Sequence, residues 1–176
     1  MKTVLITGAT GDVGKHLTRE FAGKYKLRLS DKRPIQAKNF IKADISKMSD
    51  ALKITKGVDA IVHLGGYSVE GPWEGILQAN LVGCYNIFEA ARKNGVKRIV
   101  FPTSNHAMGF YRRDRKIDHR DYPKPDSRYG VSKVFGEALG SLHAVLVGIE
   151  FLMVRIRPAD PARARRGRIA GLVCPG

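Results

Sequence analysis

Short apolar runs alternate with helical patterns almost from the first residue. Val4 to Thr7 predicts a strand, followed by a glycine-punctuated turn from Gly8 to Gly14 and a helix to about Gly23. Tyr25 to Ser30 predicts a second strand, Asn39 to Lys42 a short third, and the β-branched run Val58 to His63 a fourth. Between Gly75 and Asn94, apolar residues at Leu77, Leu81, Cys84, Phe88 and Ala91 recur at helical spacing. Asn94-Gly95 closes that helix, because Gly and Asn enter the left-handed cap position cheaply. Lys97 to Thr103 predicts a fifth strand, and a polar loop with Pro123 and Pro125 leads into a helix from Ser127 to Val147. Glu150 to Ile156 predicts a sixth strand. This βαβα order predicts an α/β fold: a doubly wound parallel sheet covered on both faces.

There are no repeats, no low-complexity segments and no internal domain boundary, so residues 1–156 read as a single domain and 157–176 as a basic tail. A chain of 176 residues can bury one sizeable core, and 43% hydrophobic with 27% charged residues is ordinary globular composition. No apolar run approaches the ~20 residues of a membrane span, which predicts no membrane partner. Met1 to Ile6 runs straight into the first strand, the expectation for a folded start and not a signal peptide. Cys84 and Cys174 lack metal-like spacing and the five histidines are scattered, so no metal site and a reduced cytoplasmic protein are expected.

Charge changes the picture. The net charge is +15, and Arg155, Arg157, Arg163, Arg165, Arg166 and Arg168 crowd one short stretch. Such a cluster attracts nucleic acid, acidic lipid or an anionic substrate. No aromatic residue is interleaved to stack bases, so a solvated basic surface without a nucleic-acid partner is the expectation.

The glycine turn supplies the first candidate chemistry. Gly8, Gly11 and Gly14 let the chain leave the strand sharply, let backbone approach a pyrophosphate, and let helix pack close to sheet, as in a Rossmann dinucleotide site. The amides that open the helix, around Thr10, Asp12 and Val13, then face the phosphates. Asp31, about 20 residues downstream of the turn, is placed to accept hydrogen bonds from the adenosine ribose and to repel a 2′-phosphate, which favours NAD. Lys32 and Arg33 pull the other way. Asp44, after the third strand, suits either the adenine amino group or a helix cap.

Tyr129-Gly130-Val131-Ser132-Lys133 supplies the second. With about 3.6 residues per helical turn, Tyr129 and Lys133 share one face. A phenol beside an ammonium on a dinucleotide scaffold points to proton transfer coupled to hydride transfer.

Thr-Gly-x-x-Gly-x-x-Gly at Thr7–Gly14, Ser104 after the fifth strand and Tyr-x-x-x-Lys at Tyr129–Lys133 together resemble the extended short-chain dehydrogenase/reductase superfamily over essentially the whole chain. The wording of His63–Glu70, Leu77–Asn80 and Thr103–Tyr111 is similar to uronate dehydrogenases, which oxidise C1 of glucuronate or galacturonate to an aldarolactone with NAD. The resemblance implies Tyr129 as base, Lys133 as its partner and a hold on the nicotinamide ribose, Ser104 on the reacting oxygen, and Asn80 in a proton relay through water. It extends the cofactor set to Ile45, Leu64, Gly65 and Gly66, and implies Ser68, Asn105 and His106 as contacts to substrate hydroxyls. Arg166 or Arg168 would hold the sugar carboxylate through paired hydrogen bonds. A homodimer through the two long helices is also implied, with Gly136 and Gly140 permitting close helix approach.

The base chemistry sets a demand. A tyrosine of pKa ~10 working near pH ~7 needs its phenolate stabilised by roughly 4 kcal/mol. Lys133 and the nicotinamide charge, in a dry cleft, are the expected sources. The chain departs from the family in carrying Arg157-Pro158 where uronate dehydrogenases have Gly-Ser, and in a shortened C-terminal substrate portion. Two other readings stay open: a nucleotide-sugar epimerase/dehydratase of the same superfamily, and a non-catalytic NAD-binding protein.

Overall fold

A computed structural model describes residues 1–112 and 114–157. The strands are β1 (Thr3–Thr7), β2 (Lys26–Asp31), β3 (Phe40–Lys42), β4 (Ala60–His63), β5 (Arg98–Ser104) and β6 (Glu150–Ile156). They form one parallel sheet in the order β3-β2-β1-β4-β5-β6. The connections therefore run one way from β1 to β2 and the other way from β4 to β5. That reversal opens a crevice at the carboxyl ends of β1 and β4, where doubly wound sheets bind ligands.

The helices are α1 (Asp12–Phe21), α2 (Met48–Thr55), α3 (Trp73–Ile76), α4 (Gly83–Lys93) and α5 (Arg128–Val147). All six predicted strands form, with ends displaced by no more than two residues. The helix predicted from Gly75 to Asn94 is instead a composite, in which a π-helical stretch, Leu77–Val82, joins α3 to α4. The pattern reading passed over α2, whose Ala51 and Ile54 are fully buried.

The core lies mainly on one side of the sheet. Ile54, Ile87, Phe88, Ile99 and Phe101 are buried there beneath α2, α4 and α5. Phe88 sits at its centre, edge-on to Phe101 at 5.6 Å and to Phe151 at 4.8 Å. Each such fully buried apolar side chain contributes roughly 1.5–3 kcal/mol. On the opposite side, Leu17 and Phe21 of α1 cover Val4, Ile6, Leu29 and Val62.

Two sequence expectations are corrected here. Gly136 and Gly140 do allow a close approach, but to the sheet of their own chain. A Cβ on Gly136 would run into the Phe101 ring, and one on Gly140 would lie 3.0 Å from Phe151. Arg155, counted with the basic stretch, is tied down inside the domain: its guanidinium donates to both carboxylate oxygens of Glu137, at 2.8 and 2.6 Å. Arg163, Arg165, Arg166 and Arg168 lie outside the described residues. Among the described residues, no helix is long and apolar enough to cross a membrane.

Candidate active site

The crevice is built from chain that leaves four neighbouring strands. Gly8 follows β1, Asp31 ends β2, Leu64 to Gly66 follow β4 and Ser104 ends β5. Gly8 adopts φ +64°, and a Cβ there would lie 2.7 Å from the Leu64 carbonyl. The turns after β1 and β4 can therefore touch only because position 8 is glycine. Gly66, at φ +127°, is held the same way, with a Cβ position 2.5 Å from Asn80 Oδ1.

Thr7 ties these two turns together. Its hydroxyl accepts hydrogen bonds from the amides of Leu64 (3.2 Å) and Gly65 (3.1 Å). Both lone pairs are then used, so its own proton goes to His63 Nδ1, 2.7 Å away, and the imidazole keeps its proton on Nε2. Burial, with Lys133 adding repulsion, pushes His63 down to about 3, so the ring is neutral.

The crevice fits a dinucleotide on its own geometry. A Cβ on Gly14 would lie 2.5 Å from the Gly8 carbonyl oxygen, so Gly14 serves the chain's own packing. A Cβ on Gly11 would meet only that oxygen, at an ordinary 3.4 Å, and the backbone there (φ −75°, ψ 168°) suits any residue. Nothing in the described chain requires glycine at position 11, and its bare Cα leaves the outer side of the turn open to a ligand. No side chain caps α1, so its first-turn amides stay open toward the same place.

Asp31 braces the turn. Its Oδ2 accepts from the Thr10 amide at 3.1 Å and hydroxyl at 2.7 Å, and its Oδ1 accepts from the Arg33 amide at 3.1 Å. Burial raises its pKa, but these hydrogen bonds outweigh burial and hold it below the ordinary carboxylate value. Arg33 folds back to donate to Thr10 Oγ1 at 2.8 Å. Asp44 accepts from the Ser46 amide and hydroxyl and pairs with Lys32 at 3.1 Å. Ile45 packs beneath Gly65, its Cδ1 lying 3.0 Å from where a Cβ would stand.

On the other side of the crevice, Ser127 caps α5 by accepting from the Gly130 amide at 3.0 Å, which starts the helix one residue before Tyr129. Tyr129 is buried to 6% exposure beside Ser104, itself at 4%. One turn on, Lys133 lies with Nζ 5.5 Å from the centre of the Tyr129 ring and 4.8 Å from that of Phe101. Its ammonium donates to the Pro102 carbonyl at 3.1 Å. Burial brings Lys133 down to about 8, and pushes the neighbouring Cys84 thiol up to about 12.

The phenol departs from the expectation of a lowered pKa. Burial raises Tyr129, and hydrogen bonding from Ser104 only partly offsets the rise. Among the described residues Lys133 donates to the Pro102 carbonyl and makes no hydrogen bond to the phenolic oxygen, so nothing from its ammonium offsets the burial.

Asn80 stands in the π-helical stretch, a distortion that recurs at functional sites. Its Oδ1 accepts from the Tyr67 amide at 2.7 Å, and its Nδ2 donates to the Tyr67 carbonyl at 3.1 Å and to Ser132 Oγ at 2.9 Å. Ser132 in turn donates to the Tyr129 carbonyl at 2.7 Å. Asn80 thus bolts the turn after β4 to the helix that carries Tyr129.

Ser104, Asn105 and His106 fall together: Ser104 caps a 3-10 turn, Asn105–Met108, by accepting from the His106 amide at 3.1 Å. The His106 ring lies edge-on to Tyr129, centroids 5.8 Å apart. Ser68 is exposed on the loop after β4. Arg166 lies outside the described residues. Sequence reasoning assigned no supporting role to Glu70, Asp126 or Ser132. Ser132 lies within the Tyr129–Lys133 stretch and Glu70 within His63–Glu70. Their bonds to Asn80 and to the Tyr129 amide, like that of Asp126 to His106, join residues far apart in sequence.

Residues 4–158 match the family model described as NAD dependent epimerase/dehydratase family. The chain is 42% identical over 164 residues to a uronate dehydrogenase of Pseudomonas putida, covering 90% of this chain and 61% of that protein. A uronate dehydrogenase of Agrobacterium fabrum is 40% identical over 166 residues, covering 92% and 63%. Among solved structures, an Agrobacterium tumefaciens uronate dehydrogenase in which a tyrosine is changed to alanine, complexed with NAD, superposes with a TM-score of 0.88 at 40% identity, covering 92% of this chain and 63% of that one. The chain therefore spans less than two thirds of the length of the curated relatives it matches. With its glycine turn, parallel sheet and Tyr129–Lys133 pair, this chain belongs to the NAD-dependent epimerase/dehydratase family.

Proposed function

We propose that this chain carries the cofactor-binding and proton-transfer half of an NAD-dependent dehydrogenase that oxidises C1 of a hexuronic acid, glucuronate or galacturonate, to the aldarolactone. The observation that carries the reading is the buried Tyr129 phenol beside Ser104, one helical turn from Lys133, at the carboxyl edge of the sheet. Gly11 and the opening of α1 would hold the pyrophosphate, and Asp31 the adenosine ribose. NAD⁺, when bound, accepts the hydride from C1.

The protein's part is the proton. Ser104 Oγ positions the C1 oxygen, and Tyr129 Oη takes the proton that oxygen releases. Because burial raises the phenol, Tyr129 is protonated at neutral pH in the free protein and needs positive charge to act as base. Lys133, brought down to about 8, supplies that charge within one turn and stands close to its own switch point. A two-copy assembly through the outer faces of α4 and α5 completes the reading; Tyr85, Val131 and Leu142 stand exposed there.

The purified protein mixed with NAD⁺ and glucuronate or galacturonate should raise absorbance at the reduced-nicotinamide band, and Tyr129→Phe should remove the rise while NAD⁺ still binds. No rise with either sugar, where NAD⁺ binding is demonstrated, would overturn the proposal.

A further inference from the structure

The pair formed by His106 and Asp126 has no part in the proton transfer just described. His106 Nδ1 lies 2.8 Å from Asp126 Oδ1 and 3.1 Å from Oδ2. Burial raises the Asp126 pKa, but hydrogen bonds from His106 and Ser127 outweigh it and keep the carboxylate ionised. An ionised carboxylate only accepts, so the nitrogen facing it must carry a proton.

The surroundings fix the pair in place. Ser127 Oγ donates to Asp126 Oδ1 at 3.0 Å. The Asp126 amide donates to the His106 carbonyl at 3.3 Å, and the Lys124 amide to the Ala107 carbonyl at 3.0 Å, so two short segments run side by side. Any Cβ at Gly109 would overlap the Asp126 carboxylate. The ring then leans edge-on against Tyr129 with 44% of its side chain exposed, and among the described residues Nε2 has no hydrogen-bond partner.

We infer that Asp126 is a positioning residue that holds the His106 ring with Nδ1–H toward its carboxylate, which turns Nε2 toward a sugar hydroxyl. The inference rests on the proposed function in taking His106 as a substrate contact. It adds an orientation: with Nδ1 taken by Asp126, Nε2 is the ring nitrogen left to meet a sugar hydroxyl at this end of the pocket. Such outer partners commonly decide ring orientation and tautomer where histidines meet a ligand.

Nitrogen-15 NMR of the wild-type protein, at a pH where the ring is neutral and with His106 assigned by His106→Gln, reads the tautomer directly. The expected result is a protonated Nδ1 and a bare Nε2. In Asp126→Asn, whose amide can donate to Nδ1, population should move to the Nε2–H form. Galacturonate titrated against the same resonances should bind Asp126→Asn roughly tenfold more weakly, the scale of one lost hydrogen bond. NAD⁺ affinity should stay within about twofold, since Asp126 lies outside the dinucleotide crevice. A wild-type ring protonated on Nε2 overturns the inference, and that measurement stands whether or not the variant folds. Unchanged galacturonate affinity in Asp126→Asn, or wild-type His106 signals that ignore the sugar, overturns it too. If sugar binding and tautomer are as expected but no uronate is turned over, the proposed reaction fails and the pairing stands.

Discussion

The carboxylate of Glu70, on the loop after β4, accepts a hydrogen bond from the backbone amide of Tyr129, 2.9 Å away in the first turn of α5. Its other oxygen accepts from Arg128 at 2.5 Å. A negative group at a helix N-terminus satisfies an otherwise open donor and complements the helix dipole. Here the helix it steadies is the one that presents Tyr129 and Lys133.

Replacing Glu70 with alanine should therefore act on catalysis more than on the fold. Turnover is expected to fall about tenfold, short of the ~10²-fold that a 1 Å misplacement costs, with NAD⁺ affinity unchanged. The Tyr129 amide, with Arg128 adding to it, holds Glu70 below its ordinary carboxylate value. Its contribution to stability is thus complete above that ordinary value and fades as pH falls through it toward the lowered one. Acid denaturation of the variant should lack that component; superimposable acid transitions would show that the bond does not hold the helix.

Lys133 carries a cost that function explains. Burial lowers it from an ordinary 10.5 to about 8, so below pH 8 the fold contains an ammonium it disfavours. Over the interval from 8 to 10.5 the folded protein gives up this proton before the unfolded chain does, so stability rises with pH. Lys133→Met should abolish turnover yet stabilise the protein near neutral pH by up to about 3 kcal/mol, at ~1.36 kcal/mol per pKa unit. Urea unfolding at neutral and alkaline pH tests this: the gap between variant and wild type should narrow as pH climbs. A variant less stable than wild type at pH ~7 would mean the Pro102 hydrogen bond outweighs desolvation.

The sheet was legible because a parallel strand buried on both faces reads as an apolar run ending at a glycine or polar turn. β1, β4 and β5 all do so, and β6 lies where Glu150 to Ile156 predicted it. The Ser127 cap and the Gly95 and Gly148 exits could be read from local chemistry. The π-helical stretch could not, since one extra residue leaves the apolar spacing of Leu77, Leu81 and Cys84 looking regular. α2, at eight residues, was too short to show a period. Tyr129 and Lys133 were visible four residues apart, but Glu70 meets Tyr129 across 59 positions and Asp126 meets His106 across 20. No local pattern records contacts of that kind.

Asn80 offers a test that barely alters shape. Asn80→Asp keeps the acceptor for the Tyr67 amide but sets an oxygen against the Tyr67 carbonyl. It also removes the donor to Ser132, whose own proton is committed to the Tyr129 carbonyl. Burying those unmatched oxygens should cost about 3 kcal/mol in urea unfolding. Turnover should fall further than the folded fraction explains, because the turn after β4 and the Tyr129 helix lose their bolt. An aspartate variant as stable and active as wild type would remove Asn80 from that role.

Gly11 and Gly14 separate what the fold needs from what the cofactor needs. At Gly14 a Cβ would press to 2.5 Å from the Gly8 carbonyl oxygen and 2.8 Å from the Ala9 Cα, both backbone atoms that cannot turn aside. Gly14→Ala should therefore destabilise the protein by about 1–3 kcal/mol, overriding the ~1 kcal/mol that alanine gains over glycine in a helix. At Gly11 the same methyl meets only the Gly8 oxygen, at 3.4 Å, on a backbone alanine adopts freely. Gly11→Ala should stay within about 1 kcal/mol of wild type in urea unfolding. Its NAD⁺ affinity, by calorimetry, should fall tenfold or more, a loss of at least ~1.4 kcal/mol. The two variants thus fail in different assays, and a Gly11→Ala protein that binds NAD⁺ as the wild type does would move the pyrophosphate away from this turn.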